Sequence, residues 1–317
     1  MLFLIPILLF LLFFIAFTNL QNTDYESRFI LLINKFSSFI GFGYRMGENV
    51  SVGLDLLGIS AWIMFLSVGW HYSKQIFGCA MVYANYDSYP ISSLQRRIIK
   101  FCVFGVAFYS FCYLSFHWRS FTLFGGVYNL MGISITELAP PKFLERLASV
   151  LVWAGIPSFL YFVVYVNYKK FQKWPSLNFL IPLLAFYVWW IPLFPQAEFY
   201  LMLVPFFHSL QYLAFSYRME KKEVEKSSRP FFQFSIRTLG LLLVGFLVFE
   251  AIPGLLDSRL GDQLGISIFF TFAAMVFINI HHFFLDSILW RFTDSNTRSV
   301  LLSASDVRRR AFNASEE

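Results

Sequence analysis

The stretch Phe277-Ile-Asn-Ile-His-His-Phe-Phe-Leu-Asp-Ser-Ile-Leu-Trp-Arg291 decides how the chain is read. It closes an apolar run that begins near Leu264. That run is long enough to cross a bilayer, at about 20 residues per span. Asn279, His281, His282 and Asp286 lie in its second half. Polar and ionisable groups at membrane depth are costly, so they mark candidate functional sites. Two further apolar runs carry similar groups, Trp70-His-Tyr-Ser-Lys-Gln75 and Phe206-Phe-His-Ser-Leu-Gln-Tyr212. The fold class that follows is all-α, a polytopic transmembrane helical bundle with histidines in its interior.

Composition agrees. Of 317 residues, 57% are hydrophobic, 14% are charged and 42 are Phe, a balance foreign to soluble domains. The apolar residues form continuous blocks with charges between them, which argues against a β-barrel. The net charge of +6 needs no nucleic acid as partner, because loops facing anionic lipid carry Lys and Arg. Cys79, Cys102 and Cys112 lie in or beside apolar runs, without metal-type spacing or an even count.

About eight spans are expected, near 1–20, 54–84, 98–118, 147–168, 177–193, 198–217, 236–256 and 264–290. The first lacks a basic start and a small-residue cleavage site, and reads as a retained span. Between the first two, 29–42 suits an amphipathic segment along the interface. Lys and Arg collect after the second, fourth and sixth spans and in the tail. The positive-inside rule therefore puts both termini in the cytoplasm. The division is an integral membrane domain, 1–292, and a polar cytoplasmic tail, 293–317.

Depth and face bring the polar groups together. His208 lies ten residues before Arg218 and His281 ten before Arg291. With both arginines at the interface, both histidines lie about 15 Å inside. His71 also falls centrally in its span. Helical spacing puts His71, Lys74 and Gln75 on one face, His208, Gln211 and Tyr212 on another, and Asn279, His282 and Asp286 on a third. His281 points about 100° away from His282. Lys74 and Asp286, at similar depth, would neutralise each other. Any one of these histidines alone is more often helix–helix glue than a ligand; four in three spans at matching depth favour a shared site. Glu250, in the outer half of the seventh span, reads as structural.

Converging imidazoles with a carboxylate nearby suit non-haem iron, which leaves positions open for oxygen and substrate. The metal-ligand candidates are His71, His208, His281 and His282. Asp286 is a ligand or the acceptor that fixes an imidazole tautomer. Asp286, Tyr212 and Lys74 are the catalytic candidates, and Gln75, Gln211 and Asn279 are the supporting polar groups around the cofactor. A Phe-lined site in lipid suits a lipid or isoprenoid substrate and oxygenation, desaturation or oxidative cleavage. Haem held by two histidines, zinc, and proton-coupled transport along the same buried groups are the alternatives.

The segments Ala61…Trp70-His71-Tyr72 and Phe207-His208-Ser209…Tyr212 resemble those of polytopic bacterial membrane proteins of the Brp/Blh type, which look like β-carotene dioxygenases. The resemblance implies an iron site built from histidines on several membrane helices, in a bacterial inner membrane. The chain departs from that pattern in three places. Tyr212 stands where the family has a second histidine, a Pro-His-Gly segment has no counterpart, and His281-His282 has a different spacing.

Overall fold

The computed structural model describes residues 4–22, 28–43, 45–46, 50–117, 129–130, 133–134, 140–190 and 230–289. Among them the architecture is helical, apart from one antiparallel pairing of two-residue strands, β1 (Asn129–Leu130) and β2 (Ile133–Ser134). The helices are α1 (Leu4–Thr18), α2 (Arg28–Phe39), α3 (Val52–Tyr86), α4 (Ser93–His117), α5 (Lys142–Ser158), α6 (Val166–Phe171), α7 (Leu177–Trp190), α8 (Pro230–Phe246), α9 (Ile252–Leu264) and α10 (Phe269–Leu289). Two π-helical stretches, Phe159–Tyr165 and Leu247–Ala251, join α5 to α6 and α8 to α9 without a break.

Four of these helical stretches are long and apolar enough to cross a membrane: Val52–Tyr86, Lys142–Phe171, Phe231–Gly261 and Phe269–Asp286. The spans expected at 1–20 and 177–193 appear as shorter helices of 15 and 14 residues. The span expected near 98–118 falls on the 25-residue α4, which is not one of the four. The span expected at 198–217 and the tail lie outside the described residues.

Helix α3, 35 residues long, is the axis of the fold. It packs against α1, α4, α7 and α10. Its first turn is capped by Ser51, whose hydroxyl accepts from the Leu54 amide. Gly53 meets the end of α1 so closely that a Cβ would come 2.3 Å from the Ala16 carbonyl oxygen. At that same end Phe17 packs on Phe269 and Phe270, at ring distances of 5.5 and 5.9 Å. Helices α3 and α10 therefore start together and run parallel, with α1 antiparallel to both. Asp257, buried in α9, reaches over the Gly265 turn (φ +69°) and accepts from the Phe270 and Thr271 amides at 2.7 and 2.9 Å. A carboxylate there satisfies two of the open amides of α10 and complements its dipole.

Two apolar cores lie along α3. One joins its first half to α1, α2 and α10 through Leu57, Ala61, Ile30, Phe272 and Val276. The other joins its second half to α4, α7 and the first π stretch through Ala80, Ile99, Val103, Val163 and Phe179.

A polar knot closes the second core where the chain turns. Ser92 and Gln95 form a reciprocal capping box: the Ser92 hydroxyl accepts from the Gln95 amide at 3.3 Å, and the Gln95 side chain accepts from the Ser92 amide at 2.7 Å. The Gln95 amide group also donates to the Phe162 carbonyl at 2.8 Å and to Asn167 Oδ1 at 2.7 Å. Asn167 donates to the Pro90 carbonyl at 2.6 Å, and Tyr89 Oη to the Val163 carbonyl at 2.6 Å. Burial pushes the Tyr89 phenol above its ordinary pKa, while its hydrogen bond with Asn167 acts in the opposite sense. Phe162 and Val163 belong to the π stretch, where displaced backbone bonding leaves carbonyls open to side-chain donors. Lys173 donates to the Asp87 and Ser88 carbonyls at 2.6 and 3.0 Å, and the Ser176 hydroxyl donates to the Asp87 carboxylate.

Candidate metal centre

His71 and Gln75 are one turn apart on α3, and His282 and Asp286 one turn apart on α10. Because the two helices run parallel and in register, these four side chains meet. The Asp286 Oδ2 atom lies 3.6 Å from His71 Nε2 and 3.7 Å from His282 Nε2. Gln75 Nε2 donates a long hydrogen bond, 3.5 Å, to the same oxygen. One donor atom from each of His71, His282 and Asp286 falls within 4.8 Å of the other two. Among the described residues this is the cluster of three or more His, Cys, Asp or Glu side chains able to hold a metal ion.

The surroundings orient the imidazoles. The His71 ring lies 4.7 Å from the Phe283 ring at an interplanar angle of 31°, and 5.5 Å from the His282 ring. Trp70, on the flank of α3, meets Phe284 at 6.0 Å. The side chains of His71 and Asp286 are each 4% exposed, but that of His282 is 35% exposed. The centre is thus closed on the α3 side and open at His282.

The spacing has chemical meaning. A direct N–H···O contact to a carboxylate lies near 2.7–2.9 Å. Metal ligands at about 2.0–2.2 Å from a shared ion stand roughly 3–3.5 Å from each other. Separations of 3.6 and 3.7 Å are too long for the first and lie a few tenths of an ångström beyond the second, with all three donor atoms within 4.8 Å of one another. Two imidazoles and one carboxylate are also a donor set that holds a divalent ion with coordination positions left open. The residues present therefore fit a metal ion.

The other site candidates fall elsewhere. His281 is outside the trio. Its ring lies 6.0 Å from that of Phe277, and its buried Nδ1 has no hydrogen-bond partner among the described residues. Asn279 donates to the Met275 carbonyl of its own helix at 2.8 Å, which accounts for its amide without the centre. Lys74, expected beside Asp286, has its ammonium 4.1 Å over the Trp70 ring. The side chains meeting Asp286 at 3.5–3.7 Å are instead His71, His282 and Gln75. His208, Gln211 and Tyr212 lie outside the described residues. Phe283, which stacks on His71, carried no signal of its own in a chain with 42 Phe residues. No protein-family model matches the chain, and no curated protein or solved structure matches it.

Proposed function

We propose that this is an integral membrane enzyme in which His71, His282 and Asp286 hold non-haem iron, acting on a lipid or isoprenoid substrate by oxygenation, desaturation or oxidative cleavage. The observation that carries this reading is the buried Asp286 oxygen set 3.6 and 3.7 Å from two imidazoles, a donor set that could hold a metal ion. Iron, when bound, supplies one-electron and oxygen chemistry. The protein's part is to hold the ion, to exclude water through Phe283 and the buried flank of α3, and to admit substrate at the exposed edge of His282. His208 is the further ligand this reading expects from the span near 198–217. Both termini in the cytoplasm, with about eight spans, is the topology that the Lys and Arg distribution and the apolar blocks favour, and the Brp/Blh resemblance is what suggests a bacterial inner membrane. The Brp/Blh resemblance around His71 points toward an isoprenoid.

The test is oxygen consumption by iron-loaded protein in detergent, with a panel of fatty-acyl lipids and isoprenoids. Consumption that needs both iron and one class of substrate, and that disappears in Asp286→Asn, is the expected result. Bound iron with no oxygen uptake on any substrate overturns the enzymatic reading.

One observation favours a second reading, proton-coupled transport. Glu250 stands exposed in the second π stretch of the helical run Phe231–Gly261, and ionisable groups on membrane helices often line ion pathways. Uptake driven by a proton gradient and abolished by Glu250→Gln would establish it.

A further inference from the structure

We propose that α2 is an interfacial anchor, lying along the headgroup–acyl boundary of the bilayer with Leu31, Leu32, Phe36 and Phe39 turned into it. This rests on the membrane reading of the fold and is independent of the metal centre. The helix is amphipathic in an inverted sense. Its inward face carries the polar residues Asn34 and Ser37, both engaged with protein. Asn34 donates to the Met46 carbonyl at 3.1 Å and accepts from the Met46 amide at 2.7 Å, and the Ser37 hydroxyl donates to the Phe42 carbonyl at 3.2 Å. Its outward face carries Leu32, Phe36 and Phe39, which are 65%, 61% and 88% exposed, with Leu31 beside them.

An apolar face this exposed, backed by polar residues turned inward, is stable where the surrounding medium is itself apolar. Two features identify that medium as the bilayer. Ile30 and Ile33 pack into the same core as Leu9 and Phe13 of α1, and α1 presents Leu8, Phe10 and Phe14 outward, more than half exposed. Helices α1 and α2 thus share one core, and each turns an apolar face outward. Lys35 sits amid the outward face, where a long stem buried among acyl chains carries its ammonium up to lipid phosphates. The consequence for the fold is mechanical. Met46 is 1% exposed in the core beside α3, so the Asn34–Met46 bonds tie the bilayer surface to the segment leading into the helix that carries His71.

Nitroxide labels at Leu32→Cys, Phe36→Cys, Phe39→Cys, Ile33→Cys and Ser93→Cys, one per protein, test this in vesicles of phosphatidylcholine and phosphatidylglycerol. Labelled wild type provides the baseline for the native cysteines. The readout is collision with oxygen, which concentrates in lipid, against collision with a water-soluble nickel chelate. The oxygen-to-nickel ratio at 32, 36 and 39 is expected to exceed that at 93 several-fold, with 33 shielded from both reagents. A ratio at 32, 36 and 39 equal to that at 93 places the face in water and overturns the proposal. Shielding of those three from both reagents means a protein covers the face, and also overturns it. Access at 33 equal to its neighbours means the helix does not present the face described, with the same consequence.

Discussion

Two polar regions are buried along α3, and they are built differently. The knot at the α3–α4 turn is finished. Gln95, Asn167, Tyr89 and Lys173 make direct bonds of 2.6–3.0 Å to carbonyls or to each other. Between α3 and α10, the Asp286 carboxylate stands 3.5–3.7 Å from the side-chain nitrogens of His71, His282 and Gln75. Burying ionisable groups is repaid only by close, well-directed partners. A knot that meets this condition holds helices together. A carboxylate flanked by two imidazoles at these separations could hold a metal ion between them.

The contrast can be broken by substitution on either side. The largest effect is expected from His282→Ala and Asp286→Asn. Each should cost more than about 100-fold in metal affinity, beyond the loss typical of a supporting residue, while the metal-free protein unfolds within about 1 kcal/mol of wild type. Metal titration and detergent unfolding, done on the same preparations, read both quantities. Loss of fold without metal would instead make the centre a structural knot of a second kind.

Gln95→Leu should behave in the opposite way. It strips the donor from the Phe162 carbonyl and from Asn167, and the acceptor from the Ser92 amide. The cost is about 1–3 kcal/mol for each buried group left without a partner, seen in unfolding, with metal content per folded molecule unchanged. A smaller loss, about 1 kcal/mol, is expected for Asp257→Asn, which weakens the charge-assisted cap on α10. Because α10 carries His282 and Asp286, a several-fold fall in metal affinity in that variant would show that the cap also positions the centre. Lys74→Gln should be the mildest. An exposed cation–π contact is worth about 0.5–1 kcal/mol, and metal content should be unaltered. If Lys74→Gln costs several-fold in metal affinity, Lys74 acts on Asp286 after all.

Much of this arrangement is legible in the sequence. Apolar block length marks the helices, and helical spacing puts His71 and Gln75 on one face and His282 and Asp286 on another, together with Lys74 and Asn279, which the structure places elsewhere. What is not legible depends on rotation and on contacts far apart in the chain. His281 and His282 are indistinguishable by composition; which one faces α3 is fixed by the packing stripe Phe272, Val276, Ile280 and Phe283. Helix α4 starts five residues before the expected boundary because Ser92-Ser-Leu-Gln95 is a capping box, a local signal that apolar block length does not register. Helix α5 continues past Pro157 into α6, and α8 continues into α9 at Pro253, through π-helical stretches that apolar block length does not mark. Asp257 as the cap of α10 has no local signature, since it lies outside the helix it caps.

The most direct test is the metal content and absorption spectrum of purified protein, wild type beside His71→Ala and His282→Ala. One iron per chain without a Soret band, lost in both variants, is what this account predicts. A Soret band, or no metal bound after loading with iron in excess, would contradict it.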